Sequence, residues 1–355
     1  MDKRCSINAF GNMKVGIIGA AGFTGIEILK ILRHHHDVEV IYITSYEHQN
    51  KALNSAFAQI ECEKYNDLVF SNHPVTIEDI PKLDIAFLAV PDEAAMKWAP
   101  ALLEKSIKVI DISGSFRLKD VGKFEEYYKV KHTANEVIQK ATYGLTEVNR
   151  EEIKTATLLA NPGCYATSAI LPLYCIREHL SKYSEDIILD AKSGTSGAGT
   201  RKEKDSLAYS KVNDNFRVYK VKAHQHIPEI EQAIGVYHKD LRIKMTPQLL
   251  PLFRGILSMI YLKAEPGVSV KELTKSFEKI SIQEPFIRYI KNPEEIELSK
   301  VQNTNFIDVS FHHDDHTGVL TIFSALDNLQ KGAAGSAIQN MNLMSGYPET
   351  LGLTT

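Results

Sequence analysis

The sequence is poor in residues that staple or anchor a chain, and it lacks an excess of either charge. Its 355 residues include four cysteines (Cys5, Cys62, Cys164, Cys175) and one tryptophan. No CxxC pair or disulfide framework is present, so a reducing, cytoplasmic setting fits. No apolar run reaches the roughly 20 residues of a membrane span. No signal-peptide core follows Met1-Asp2-Lys3-Arg4-Cys5-Ser6. Lys and Arg total 41 against 44 Asp and Glu, a net charge of -3 without blocks of one sign. That balance calls for neither nucleic acid nor an anionic membrane as partner. Internal repeats and low-complexity segments are missing. A GxSxG elbow is missing too, which argues against a serine hydrolase. What remains is ordinary globular composition, 44% hydrophobic and 24% charged, long enough for two domains.

The first half reads as alternating strands and helices. Residues 1 to 12 form a loose tail, and Met13 is a second candidate start. Lys14 to Ile18 is a buried-strand pattern. It runs into Gly19-Ala20-Ala21-Gly22-Phe23-Thr24-Gly25 and then a helix through Leu32. Strand, glycine turn and helix in that order make a phosphate site, because the backbone can approach a pyrophosphate and the helix N-terminus faces it. The spacing is GxxGxxG, and a tight turn alone would use the same glycines. Strand Val38 to Ile43 ends in Thr44-Ser45, with no acid to bind a ribose until Glu47. That favours NADP over NAD. Further strands at Asp84 to Val90 and Val109 to Ser113 flank a helix, Glu93 to Lys105. The repeat predicts a doubly wound parallel sheet, with Pro91, Ser113 and Arg117 at its ligand-binding edge. Phe124 to Tyr143 reads as an irregular connection.

The central stretch is Ala160-Asn161-Pro162-Gly163-Cys164-Tyr165-Ala166-Thr167-Ser168. Leu158 and Leu159 lead in as a strand, and Ala169 to Leu180 reads as a helix. Cys164 then lies at a helix N-terminus, where unpaired N–H groups and the helix dipole favour a thiolate. A buried cysteine acting as a small apolar side chain would satisfy the same spacing.

After it the pattern changes. Strand Asp186 to Lys192 enters a second glycine- and hydroxyl-rich loop, Ser193 to Arg201, able to hold a phosphate or carboxylate through backbone N–H groups, or simply a surface loop. A helix reads from Pro228 to about Tyr237; His224 and His226 lie just before its start, two residues apart and so on one side of an extended segment. Arg242 to Leu250, Gly255 to Ala264, Phe306 to His312 and Val319 to Ala325 alternate as strands of an antiparallel sheet, with a helix at Val270 to Ile280. The second domain is therefore α+β. His312-His313-Asp314-Asp315-His316 reads as a polar hairpin turn ahead of Thr317-Gly318, not a metal site. Residues 331 to 345 form a last helix.

A nucleotide loop, a thiol and a histidine pair suit reduction of an activated acyl group through a thioester. At these residues the chain resembles the N-acetyl-gamma-glutamyl-phosphate reductase family of arginine biosynthesis, in the aspartate-semialdehyde-dehydrogenase-like superfamily. The likeness covers about Met13 to Leu353. It is carried by Gly19 to Gly25, Ala160 to Tyr165, Ser193 to Gly199, His224 to Ile230, and Asp327-Asn328-Leu329-Gln330-Lys331-Gly332-Ala333-Ala334-Gly335. The resemblance implies a Rossmann-type nucleotide domain (13–160, with 328–355 packing back on it) and an α+β catalytic and dimerisation domain (161–327) with a mainly antiparallel sheet. It implies NADPH, an acyl-phosphate substrate, and a homodimer or homotetramer joined through the second sheet. Cys164 would be the nucleophile, His226 the acid–base residue and His224 its companion. Cofactor contacts would come from Gly19, Ala21, Gly22, Phe23, Thr24, Gly25, Thr44, Ser45, Pro91, Ser193 and Gly194. Substrate contacts would come from Ser113, Arg117, Asn161, Ser196, Gly197 and Arg201.

The chain also departs from the family pattern. Tyr46 stands where an arginine usually follows the Thr-Ser pair. Gln225 replaces the arginine between the histidines, and Ser113-Gly114-Ser115-Phe116-Arg117 lacks a carboxylate. Thr200 looks inserted before Arg201. A related acyl-phosphate reductase, acting on another N-acyl group, aminoadipyl phosphate or aspartyl phosphate, would share the motifs. So would a non-catalytic nucleotide-binding module.

Overall fold

A computed structural model describes residues 12–74, 76–198, 212–265 and 268–353. Residues 1–11 of the expected tail and Arg201 lie outside the described residues. Two sheets organise the chain. The first contains β1 (Met13–Ile18), β2 (Val38–Thr44), β3 (Phe70–Ser71), β4 (Ile85–Leu88), β5 (Lys108–Asp111), β6 (Thr142–Tyr143) and β7 (Leu158–Ala160). Its order is β3-β2-β1-β4-β5-β7-β6, and every neighbouring pair is parallel. Val15, Ile17 and Ile18 of β1 and all of β4 are buried. Continuous apolar runs of this kind belong to strands covered on both faces. One face packs on the Phe23–Leu32 and Gly335–Met344 helices, the other on Asp92–Glu104. Strand order reverses between β1 and β4, which opens a crevice at their carboxyl ends.

The second sheet contains β8 (Asp186–Ser193), β9 (Arg217–Val218), β10 (Arg242–Leu249), β11 (Ile256–Lys263), β12 (Ile287–Tyr289), β13 (Ile307–Asp314) and β14 (Val319–Leu326). Its order is β12-β13-β14-β11-β8-β10-β9. The expectation of a mainly antiparallel sheet is corrected: the sheet is mixed, because β8–β10 and β12–β13 are parallel. Alternation reports which face a side chain takes, not which way the strand runs. Direction is set by the connection, and β8 reaches β10 through the His226–Ile234 helix, a crossover that returns the chain parallel.

The helix expected over Ala169–Leu180 instead spans Cys164–Cys175, with a 3₁₀ turn at Arg177–Lys182. It is buried nearly all round, so its apolar pattern had no stripe to mark the start. Pro172 inside it cannot donate to the Ser168 carbonyl; the Ser324 hydroxyl does so at 2.7 Å. The last helix begins with a π turn, Gln330–Ala334, before Gly335–Met344. Of the expected hairpin turn, His312 to Asp314 belong to β13 and pair with β14, and the turn itself is 315–318, with Gly318 at φ +64. Among the described residues, no helix is long and apolar enough to cross a membrane.

Candidate active site

The glycine loop leaves β1 at the crevice. Gly19 holds φ +91, and a Cβ there would lie 2.3 Å from the Ala89 carbonyl, so only glycine fits. Its N–H donates to Thr44 Oγ1 at 3.0 Å, and Ala20 N–H to the Thr44 carbonyl at 2.9 Å. Gly22 starts the Phe23–Leu32 helix, which has no side-chain cap and no acid in its first turn. A Cβ on Gly22 would meet nothing nearer than 3.6 Å. Free N–H groups, an open approach and a helix N-terminus fit a pyrophosphate. Ala21, Phe23 and Thr24 are half-buried around it, and Gly25 is buried against Ala20. Pro91 opens the neighbouring helix at the end of β4. The Thr44 hydroxyl is used on the loop itself, and Ser45 Oγ accepts from the N–H groups of Glu47 and His48 at 3.2 Å. Tyr46 is 64% exposed and stacks on His73 with ring centroids 3.8 Å apart.

Cys164 is the first residue of its helix, and Gly163 is the N-cap. The Gly163 N–H donates to Glu229 Oε1 at 2.8 Å, which also accepts from Tyr143 Oη at 2.8 Å. Glu229 is fully buried and faces Arg117 Nη1 at 3.6 Å. Arg117 further donates to the carbonyls of Asn161 (2.7 Å) and Ile112 (2.9 Å). One guanidinium and one carboxylate thus fix the backbone entering Cys164. Removing either would strand a buried charge, at about 3–5 kcal/mol. Asn161 is held on both sides of its amide, donating to the Ala333 carbonyl (3.0 Å) and accepting from Asn340 (3.2 Å).

His226 is the first residue of the His226–Ile234 helix, not a residue ahead of it. Gln225 has helical φ/ψ, so the expected extended segment is corrected to a helix entry. The two rings still meet, 4.7 Å apart edge to face, and His224 Nδ1 accepts the His226 N–H at 3.2 Å. His226 Nε2 packs on Gly163, where a Cβ would lie 2.3 Å away. Tyr165 touches both rings. The π turn closes the other side: a Cβ on Gly332 would sit 2.8 Å from Cys164 Cβ. Burial holds His226 well below its ordinary pKa, helped by His224, Arg117 and Lys220. It is neutral near pH 7 and can accept a proton.

The thiol behaves differently from the sequence expectation. Burial pushes Cys164 up to about 11, against the lowering effects of Arg117 and the Tyr165 N–H. The helix N-terminus is present but desolvation outweighs it. Part of the residue still opens to the cleft. Alkylation of Cys164 by iodoacetamide in the free protein should therefore accelerate about tenfold per unit from about pH 7 to about pH 10. A plateau reached by about pH 8, read by mass spectrometry of the modified peptide, would contradict it.

Ser193 ends β8 at the start of the second loop; its hydroxyl donates to the Gly194 carbonyl at 2.9 Å. Gly194 and Ser196 bond to the 250–255 turn, and Ser196 Oγ accepts from Asn328 at 2.9 Å. Gly197 is exposed. Phe253 of that turn meets Phe23 edge to face at 5.2 Å, so the two glycine loops face each other. Ser113 follows Ile112, whose carbonyl accepts from Arg117, and its hydroxyl donates to Asp111 at 2.9 Å.

Sequence reasoning missed Glu229, Tyr143 and Lys331. Glu229 follows His226 by three residues, the spacing that puts both on one helix face. Lys331, fully buried beside Gly332, binds Glu147 (2.6 Å) and Gln339 (2.8 Å). Nothing in an Asp-Asn-Leu-Gln-Lys run separates it from a solvated lysine.

Comparison with known proteins bears on this arrangement. Residues 14–156 match the family model for the semialdehyde dehydrogenase NAD binding domain, and 164–328 that for the semialdehyde dehydrogenase dimerisation domain. An N-acetyl-gamma-glutamyl-phosphate reductase of Leptospira interrogans is 44% identical over 347 residues, covering 96% of this chain and 99% of its own. One of Geobacillus kaustophilus is 40% identical over 342 residues, covering 96% and 98%. Aspartate semialdehyde dehydrogenase II of Vibrio cholerae, complexed with ASA, shares the fold at TM-score 0.72 and 17% identity, covering 95% of this chain and 99% of its own. The Candida albicans aspartate semialdehyde dehydrogenase with NADP does so at 0.71 and 14%, covering 94% and 99%. The chain belongs to the semialdehyde dehydrogenase family and, within it, to the N-acetyl-gamma-glutamyl-phosphate reductases.

Proposed function

We propose that the chain reduces N-acetyl-gamma-glutamyl phosphate to N-acetylglutamate 5-semialdehyde and phosphate, with NADPH as reductant. The observation that carries this reading is the meeting of Cys164, His226 and the Glu229-held Gly163 turn beside a glycine loop fitted to a pyrophosphate. Neutral His226 takes the Cys164 proton as sulfur attacks the acyl carbon. The C–O bond to phosphate breaks and phosphate leaves, giving a thioester. The Gly19–Gly25 loop would hold the dinucleotide, which when bound would supply the hydride that reduces the thioester. Protonated His226 then gives its proton to the resulting oxyanion. It takes that proton back as the C–S bond breaks and the aldehyde forms, and passes it to the departing Cys164 sulfur, which restores the thiol. His224 and the second loop would hold the substrate.

We divide the chain into a nucleotide domain (13–160 with 328–355) and a catalytic and dimerisation domain (161–327). The outward face of the second sheet, with Ile188 50% exposed, suits a homodimer or homotetramer contact. Cys62, Cys164 and Cys175 are free thiols, which suits a reducing cytoplasmic setting.

The reading is tested by phosphate-dependent reduction of NADP and of NAD with a panel of amino-acid semialdehydes, N-acetylated and free. N-acetylglutamate semialdehyde with NADP should give the highest kcat/KM. The preference for NADP should be modest, since no guanidinium follows Thr44-Ser45. Tyr46→Arg should raise it, because a guanidinium pairs with the 2′-phosphate in bidentate geometry. A clear preference for NAD in the unmodified chain would refute the cofactor assignment.

A further inference from the structure

Arg254 stands on the turn between β10 and β11 with 12% of its side chain exposed. Its guanidinium reaches in three directions. Nη2 meets Glu27 Oε2 at 3.1 Å, on the helix that starts at the glycine loop. Nε and Nη2 pair with the Asp327 carboxylate at 2.7 and 3.1 Å. Nη1 donates to Asn303 Oδ1 at 2.7 Å. Asp327 shapes the π turn: its carboxylate accepts the N–H groups of Leu329 (2.8 Å) and Gln330 (3.2 Å), and its carbonyl that of Gly332 (2.9 Å). Gly332 is the residue pressed on Cys164. Gln330 returns to Glu27 at 2.9 Å and closes the ring of contacts.

Hydride transfer needs its two carbons roughly 3–3.5 Å apart. The donor would be held from the glycine loop, and the acceptor carbon is carried on Cys164. Those two points belong to helices that start from different parts of the fold. Arg254 is a charged group bonded at once to the loop's helix and to the turn against the thiol.

We propose that Arg254, acting through Glu27 and Asp327, is a positioning residue that aligns the hydride donor with the Cys164 thioester. The proposal rests on the two-step acyl-phosphate reduction above. Acylation of Cys164 does not involve the hydride donor, so a change confined to the Glu27 side of the network leaves it untouched. A purely structural ion pair would affect both steps alike.

The test separates the steps. Acylation is followed as a burst of phosphate from N-acetyl-gamma-glutamyl phosphate without cofactor. Hydride transfer is followed in single turnovers with saturating NADPH, and NADPH affinity by titration calorimetry. Glu27→Gln leaves the Arg254–Asp327 pair in place and removes the charge on the glycine-loop helix that Arg254, Gln330 and Lys30 all meet. It should slow hydride transfer by about a hundredfold, the usual cost of a misplacement near 1 Å. The phosphate burst and the NADPH dissociation constant should stay within about threefold. Arg254→Met, which also frees the Asp327 turn against Cys164, should slow hydride transfer at least as much, and Arg254→Lys, which keeps one charge, should recover part of the rate. Should Arg254→Met fail to fold, Glu27→Gln alone decides. Equal slowing of both steps in Glu27→Gln, or hydride transfer unchanged in it, overturns the proposal. A missing burst in the unmodified protein overturns the two-step reading itself, and the proposal with it.

Discussion

Cys164→Ser should lower kcat by several powers of ten while NADPH binding stays within a few-fold. The two effects separate because the thiol and the pyrophosphate site lie on different elements. Cys164 begins the helix after β7, and the glycine loop follows β1. Serine is a close fit for the space, since the contact from Gly332 is to Cβ, which both residues share. The fold should therefore hold, and the loss is chemical. A thiol pushed up to about 11 can still give its proton to neutral His226 as it attacks. An alcohol in the same buried setting is a far weaker acid and a poorer leaving group when the product must depart. The measurement is steady-state kcat beside calorimetric NADPH affinity. Retention of more than about a tenth of the parental kcat would exclude the thioester route.

The nucleotide loop was legible because its signal is local. Strand, glycines and helix follow one another, and Gly19 must be glycine for a reason confined to its own backbone and that of Ala89. Cys164 was legible on the same terms, from the Asn-Pro-Gly turn. Strand direction in the second sheet was not, because β8 and β10 look alike in either orientation until the crossover is known. Nor were the charged partners. Glu229, Arg254 and Lys331 carry no local mark of burial, yet each is buried or nearly so against a partner far away in sequence. The thiol's acidity failed for a further reason. The helix N-terminus that favours a thiolate can be read from sequence, whereas the desolvation that outweighs it comes from packing of His226, Tyr165 and the π turn. Thr44 shows the same limit on a smaller scale: a hydroxyl well placed for a phosphate is used to hold the loop that would bind it.

His226→Asn should lower kcat by about 10²–10⁴-fold, the usual worth of general acid–base catalysis. The sign of its pH effect follows from burial. His226 lies well below its ordinary pKa, so the neutral base persists to acidic pH, and activity falls only as pH drops through that low value. That acid limb, below about pH 6.5, should vanish from the kcat/KM profile of the variant. The amide of the substituted side chain can still fill the space beside Gly163, so the Glu229-held turn should survive. His224→Asn should act differently. Its ring contacts Tyr165 and His226 and its Nδ1 accepts the His226 N–H, so it steadies the helix entry and the substrate side of the site. The expected effect is a higher substrate KM, with kcat changed less than in His226→Asn. A reversed pattern would swap the two roles. If neither variant changed kcat by more than about threefold, proton transfer would have to run through another group, leaving the pair as a helix entry.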